Sequence, residues 1–99
     1  MAQTTNYEYP LFPDWSTADI LTVTRLYQAI EAAYEQPRGV EAATILAAYR
    51  EFQTVVPQKF EEKQLDRDFQ TASGYSIYRT VKLARQLGTG RVNMKGTQN

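Results

Sequence analysis

Ninety-nine residues, 42% of them hydrophobic and 22% charged, make enough chain for one hydrophobic core and too little for two, and the composition is that of a folded domain. The absence of cysteine and histidine removes thiolate nucleophiles, Cys/His zinc sites, covalent haem attachment and imidazole general bases. Net charge is zero, yet all 11 acidic residues precede Ser73, so residues 1–73 carry −5 and residues 74–99 carry +5.

Residues 1–15 read as an extended arm, because Pro10 and Pro13 interrupt any helix and push Tyr9 and Phe12 towards extended geometry. Tyr7, Tyr9, Leu11, Phe12 and Trp15 give it too much apolar surface to leave in water, so it is expected to pack over the helices. Pro10-Leu11-Phe12-Pro13 also fits the short pattern of a polyproline-groove ligand. The first nine residues have neither the basic start nor the apolar run of a signal peptide. No apolar stretch approaches the roughly 20 residues needed to cross a bilayer. A cytoplasmic protein is expected, with no membrane contact.

Ser16 is a good helix N-cap, with Asp19 three residues later near the positive dipole end and Trp15 and Ile20 at the staple positions. From there Ile20, Val23, Tyr27, Ile30 and Tyr34 recur at steps of three and four, a stripe widened by Leu26 and Ala33. Gln36-Pro37-Arg38-Gly39 breaks it. Ile45, Tyr49, Phe52 and Val56 repeat the spacing on a second helix from about Val40 to Val55, which Pro57 ends. A third helix, roughly Gln58 to Ala72, turns Leu65, Phe69 and Ala72 inward, has Phe60 near its start, and closes at Ser73-Gly74. The fourth begins near Tyr75 and carries Ile77, Val81 and Ala84 on one face, with Tyr78 and Leu87 at its flanks, before Gly88 stops it. Residues 89–99 offer almost nothing to bury and read as a flexible tail.

The expected fold is therefore all-α: residues 1–99 as a single domain, a compact bundle or irregular array of four helices over residues 16–88, with the arm before it and the tail after it.

No nucleotide-binding loop is present, since Gly88-Thr89-Gly90-Arg91 lacks a strand-to-helix setting and Lys95-Gly96-Thr97 has the wrong order for a P-loop. Glu62 and Asp66 lie four apart on one helical face and could share a metal or a proton, but the inward stripes are apolar, so this pair reads as a solvated face. Beside it Lys59, Lys63 and Arg67 form a basic ridge at four-residue steps, either part of a structural ion-pair network reaching the fourth helix or a ridge that docks an anion or a partner. Tyr75 and Tyr78 stand among Arg79 and Lys82, an arrangement that suits structural packing, a protein contact or base stacking. The basic quarter that holds Arg79, Lys82, Arg85, Arg91 and Lys95 either attracts phosphates or complements helix dipoles and acidic helices within the fold.

Several blocks resemble the YktA-like uncharacterised protein family of Gram-positive bacteria, uncharacterised protein family 0223. They are Tyr9-Pro10-Leu11 with Asp14-Trp15-Ser16-Thr17, then Ala48-Tyr49-Arg50-Glu51-Phe52, Val56-Pro57-Gln58-Lys59, Glu61-Glu62-Lys63, and Ser73-Gly74-Tyr75-Ser76-Ile77-Tyr78-Arg79-Thr80-Val81. Together they run in order from about Tyr7 to Leu87. The resemblance implies a compact cytoplasmic helical domain and brings no activity with it. Gln58 and Phe60 depart from the small residues more usual in that stretch.

The sequence thus points to no catalytic constellation, no cofactor and no metal site. Its leading functional reading is a small interaction or regulatory module whose surface is formed by Lys59, Glu62, Lys63, Arg67, Tyr75, Tyr78, Arg79 and Lys82, facing an unidentified protein partner. Weak nucleic-acid binding by the basic quarter is the alternative, and a small enzyme using carboxylate and lysine groups the third reading. Monomer and homodimer, including one with an exchanged arm, are both compatible with the sequence.

Overall fold

A computed structural model describes residues 7–95. It contains α1 (Thr17–Glu35), β1 (Val40–Glu41), α2 (Ala42–Val55), α3 (Lys59–Ser73), α4 (Ile77–Leu87) and β2 (Arg91–Val92). α1 starts where its cap chemistry dictates. The Ser16 hydroxyl accepts from the Asp19 amide and the Asp19 carboxylate accepts from the Ser16 amide, each at 3.1 Å, so two otherwise orphaned donors are satisfied reciprocally. α3 ends on Gly74, whose φ of 84° is left-handed and needs no Cβ to be accommodated.

The apolar stripes meet in one core. Val23, Leu26, Tyr27, Ile30, Ala33 and Tyr34 of α1 pack with Ile45, Tyr49, Phe52 and Val56, Leu65 and Phe69, and Ile77, Val81 and Ala84 from the elements that follow. The arm lies over its own helices. Tyr7, Tyr9, Phe12 and Trp15 are half-buried against the core, and the Tyr27 hydroxyl donates to the Pro10 carbonyl at 2.8 Å, which fixes the arm where its proline leaves a carbonyl available. Among the described residues, no helix is long and apolar enough to cross a membrane.

Three expectations need correction. The second helix does not begin at Val40: that residue and Glu41 are extended and pair antiparallel with Val92 and Arg91. The first amide of α2, on Ala42, is satisfied by the Gly90 carbonyl at 2.9 Å instead of by a side-chain cap. Residues 91–94 consequently belong to the core. Val92 is fully buried, Met94 nearly so, and the Met94 amide donates to the Ala33 carbonyl at 2.7 Å near the end of α1. Residues 96–99 of the expected tail, and residues 1–6 of the arm, lie outside the described residues. Ala72, finally, is exposed. α4 springs from the level of Asp66, whose carboxylate holds the Ile77 amide at 2.8 Å, so the last turn of α3 runs on without cover.

Candidate functional site

The carboxylates expected on a solvated face of α3 are instead the polar centre of the α2–α3–α4 junction. Glu62 is 3% exposed and Asp66 9%. The physical reason is that each finds a partner on another helix, which spacing along α3 does not reveal. Glu62 accepts a hydrogen bond from the Tyr49 hydroxyl of α2, and its other oxygen lies 3.6 Å from the Lys59 ammonium. The Arg85 guanidinium of α4 sits 5.4 Å from the Tyr49 ring centre, and the Lys59 ammonium 6.0 Å from that of Tyr78. Burial first, and then the neighbouring Glu62 charge, push the phenols of Tyr49 and Tyr78 well above the usual tyrosine range, so both stay protonated. The buried Tyr78 hydroxyl faces the same carboxylate without a hydrogen bond of normal geometry among the described residues.

Asp66 has a different task. Its carboxylate receives the amides at the start of α4, where the Ser76 hydroxyl also accepts from the Arg79 amide at 3.1 Å, so α4 is capped once from its own sequence and once from α3. Burial raises the Asp66 pKa above the ordinary carboxylate value, as does the Glu62 charge, while the amides of Ile77 and Tyr78 and the Arg79 charge pull the other way. The sign of the pH effect follows. Between the unfolded and the higher folded pKa, the native state binds more protons than the unfolded state. The Asp66 contribution to stability therefore increases as pH falls through the folded value, the reverse of ordinary acid denaturation. Asp66→Asn keeps an acceptor for the Ile77 amide and buries no charge. It should be at least as stable as the wild type at pH 7, and in urea titrations from pH 7 to pH 4 it should lose this acid-side gain. Asp66→Ala should cost about 1–3 kcal/mol throughout, because buried donors are left unpaired. A wild type and Asp66→Asn pair that respond identically to pH would remove this account.

A second polar cluster fastens the arm. Tyr7 and Tyr9 both donate to Glu31, Tyr9 at 2.7 Å, and Tyr75 donates to Glu35 at 2.8 Å, one turn further along α1. Tyr75 also stacks on Tyr34 with ring centres 4.4 Å apart. Burial, followed by these carboxylates, raises the pKa of all three bonded phenols.

The eight residues proposed as one surface therefore separate. Glu62, Tyr75 and Tyr78 are committed to packing, and Lys59 spans the rim between Glu62 and solvent. Lys63, Arg67, Arg79 and Lys82 are exposed. The residue missed is Phe60, which is 67% exposed. Helical arithmetic was the available signal: nine residues separate Phe60 from the buried Phe69, about two and a half turns, which places the two rings on opposite sides of α3. Phe60, Lys63 and Arg67 follow the spacing of a single face and form an outward aromatic and basic patch. Of the basic quarter, Arg85 is engaged over Tyr49, and Arg91 bonds the Arg38 and Gly39 carbonyls and lies 3.7 Å from Glu41.

No group of three or more carboxylates among the described residues is placed to hold a metal ion. A groove of about 550 Å³ opens between α1 and α2, with Ala29, Ala47 and Ala48 along it and Arg25 and Glu51 among its lining; Glu61, Glu62, Lys63 and Asp66 do not line it.

Residues 6–93 match the model of an uncharacterised protein family, UPF0223. The chain belongs to that family. Among the curated relatives, a UPF0223 protein of Lactiplantibacillus plantarum is 54% identical over 86 residues, covering 87% of each chain. One from Streptococcus pneumoniae is 46% identical over 88 residues, 89% of this chain and 94% of its own. The matched span takes in Phe60, the α2–α3–α4 junction and the β1–β2 pair. Membership assigns no activity, because the family is uncharacterised.

Proposed function

We propose that this chain is a small docking protein of the cytoplasm, which captures an acidic segment of a protein partner on the outer face of α3. The observation that carries the reading is Phe60, left two-thirds in water beside Lys63 and Arg67 while Phe52 and Phe69 are fully buried. A phenylalanine so exposed gives the fold little burial energy. With Lys63 and Arg67 following it along the same face, it has the make-up of an interface anchor: an aromatic to fill a pocket, and charges that steer and orient an anionic partner. Arg79 and Lys82 on α4 are also exposed. A cytoplasmic setting is supported by the lack of cysteine and of any described helix able to cross a membrane.

The test uses the tagged full chain and its host lysate, with nuclease present and absent. Phe60→Ala should reduce retention of a stoichiometric protein partner by tenfold or more, since an anchor side chain is worth about 2 kcal/mol. Paired reversal, Lys63→Glu with Arg67→Glu, should do the same and should weaken with added salt. Neither change should lower the melting temperature by more than a degree or two, because all three side chains are exposed. Retention that vanishes with nuclease, falling steeply with salt, would assign the basic residues to nucleic acid. Retention indifferent to all three substitutions would show that α3 is not the docking face.

A further inference from the structure

The outward side of α1 and α2 differs from the rest of the molecule. α3 has seven charged residues in 15, whereas α2 has only Arg50 and Glu51 in 14. Between α1 and α2 lies the groove of about 550 Å³ floored by alanines, and on α2 beside it a second depression of about 420 Å³ edged by Ala47, Arg50, Glu51 and Thr54. Leu21 stands 55% exposed on α1, one turn before Arg25. Small alanine and threonine side chains, on a helix with few charges and next to a projecting leucine, make a shallow surface that another helix can approach closely.

The two charges on the banks specify what covers it. α1 and α2 are joined by the short link of residues 36–41 and run antiparallel, so Arg25 on one bank and Glu51 on the other stand at about the same height. Neither side chain has an ionic partner among the described residues. A two-fold axis running along the groove would lay α1 of a second copy over α2 of the first. Such an axis keeps heights unchanged while exchanging banks. It places each Arg25 against the other copy's Glu51 and brings each Leu21 to the height of Thr54, at the second depression. The crossing helices are then antiparallel, and the one operation satisfies both charges twice.

We infer that the α1–α2 face is a homodimer interface, with Leu21 as its knob and reciprocal Arg25–Glu51 pairs as its register. This inference is independent of the α3 docking reading, since it involves neither Phe60 nor the cations near it.

The experiment is sedimentation equilibrium of the full chain over a wide concentration range. The wild type should reach twice the 11.3 kDa chain mass. Arg25→Glu or Glu51→Arg alone should raise the dimer dissociation constant tenfold or more, and Leu21→Ala should raise it comparably. The double variant, Arg25→Glu with Glu51→Arg, should return to within about threefold of wild type, because exchanging the signs restores both pairs. Rescue by the second reversal cannot come from misfolding, so it separates a lost contact from a damaged protein. A wild type that keeps the single-chain mass up to millimolar concentration would overturn the inference. So would a dimer untouched by the single reversals, the result an exchanged arm would give, or a double variant as weak as either single one.

Discussion

Phe69→Ala should destabilise the protein by about 3–5 kcal/mol, the range for emptying a buried phenylalanine site. Against a total stability of roughly 5–15 kcal/mol for a domain of this size, that is a large fraction. The melting temperature should fall by about 15–30 °C. Phe69 earns this effect by position. It is fully buried, stacks on Tyr27 with ring centres 4.7 Å apart, and meets Tyr7, Tyr9 and Tyr75 at 6.2, 6.3 and 6.5 Å. Arm, α1, α3 and the α3–α4 link all converge on this one ring. Thermal melts followed by circular dichroism give the magnitude, and limited proteolysis within residues 7–12 tests the convergence, because the arm should loosen along with α3. A loss under about 1 kcal/mol would mean that the arm and α3 do not share a core.

The second large effect belongs to a glycine. Gly39 has φ of 67°, and a Cβ placed there would stand 2.0 Å from the Val92 carbonyl oxygen and 2.9 Å from the Asn93 Cα. Both are backbone atoms, which cannot step aside as a side-chain tip can. Gly39→Ala should therefore push residues 91–94 off the fold and forfeit the burial of Val92 and Met94, together about 3–5 kcal/mol. Removing residues 91–99 should cost about the same. The glycine substitution made in the shortened chain should then add only the smaller strain of the left-handed backbone, since the atoms it would strike are gone. Gly88→Ala is the control. That residue also has a positive φ, 71°, in a γ-turn closed by the Thr89 amide on the Leu87 carbonyl, but nothing lies within 4 Å of its Cβ position, so its cost should be backbone strain alone, about 1–3 kcal/mol. Urea titrations of these variants beside the wild type decide it; full additivity of Gly39→Ala and the truncation would sever the glycine from the strand.

Local chemistry announced most of the architecture in advance. Ser16, Pro57, Gly74 and Gly88 punctuate the chain where the helices start and stop, and the three-and-four spacing picked out nearly every buried residue of α1 and α2. What stayed hidden depends on residues far apart in sequence. Val40 reads as the start of a helix until Val92 arrives to pair with it. Glu62 and Asp66 read as solvated until Tyr49 of α2 and the first amides of α4 are seen to claim them. A buried carboxylate is tolerated only when partnered, and partners supplied by other helices leave no mark on the periodicity of α3. The candidate surface suffered in the same way. Tyr75 and Tyr78 looked surplus to the core because what claims them lies on other helices, Glu35 of α1 as a hydrogen-bond partner for Tyr75 and the α2–α3–α4 junction as a packing site for Tyr78. Phe60 was the opposite case, legible from its distance to Phe69 alone.

The pairing of Val40–Glu41 with Arg91–Val92 has one further consequence, for the way the molecule bears load. The strands are antiparallel, so the chain enters at Val40 and leaves at Val92 from the same end of the ladder. Tension applied to the two ends of the chain therefore opens the ladder one bond after another, like a zipper, instead of shearing all its bonds at once. The bond from the Met94 amide to the Ala33 carbonyl stands outside that ladder and carries the pull first. A closure that is costly to disrupt by mutation is thus the mechanically weak point of the fold, and stretching should release residues 91–94 before any helix yields.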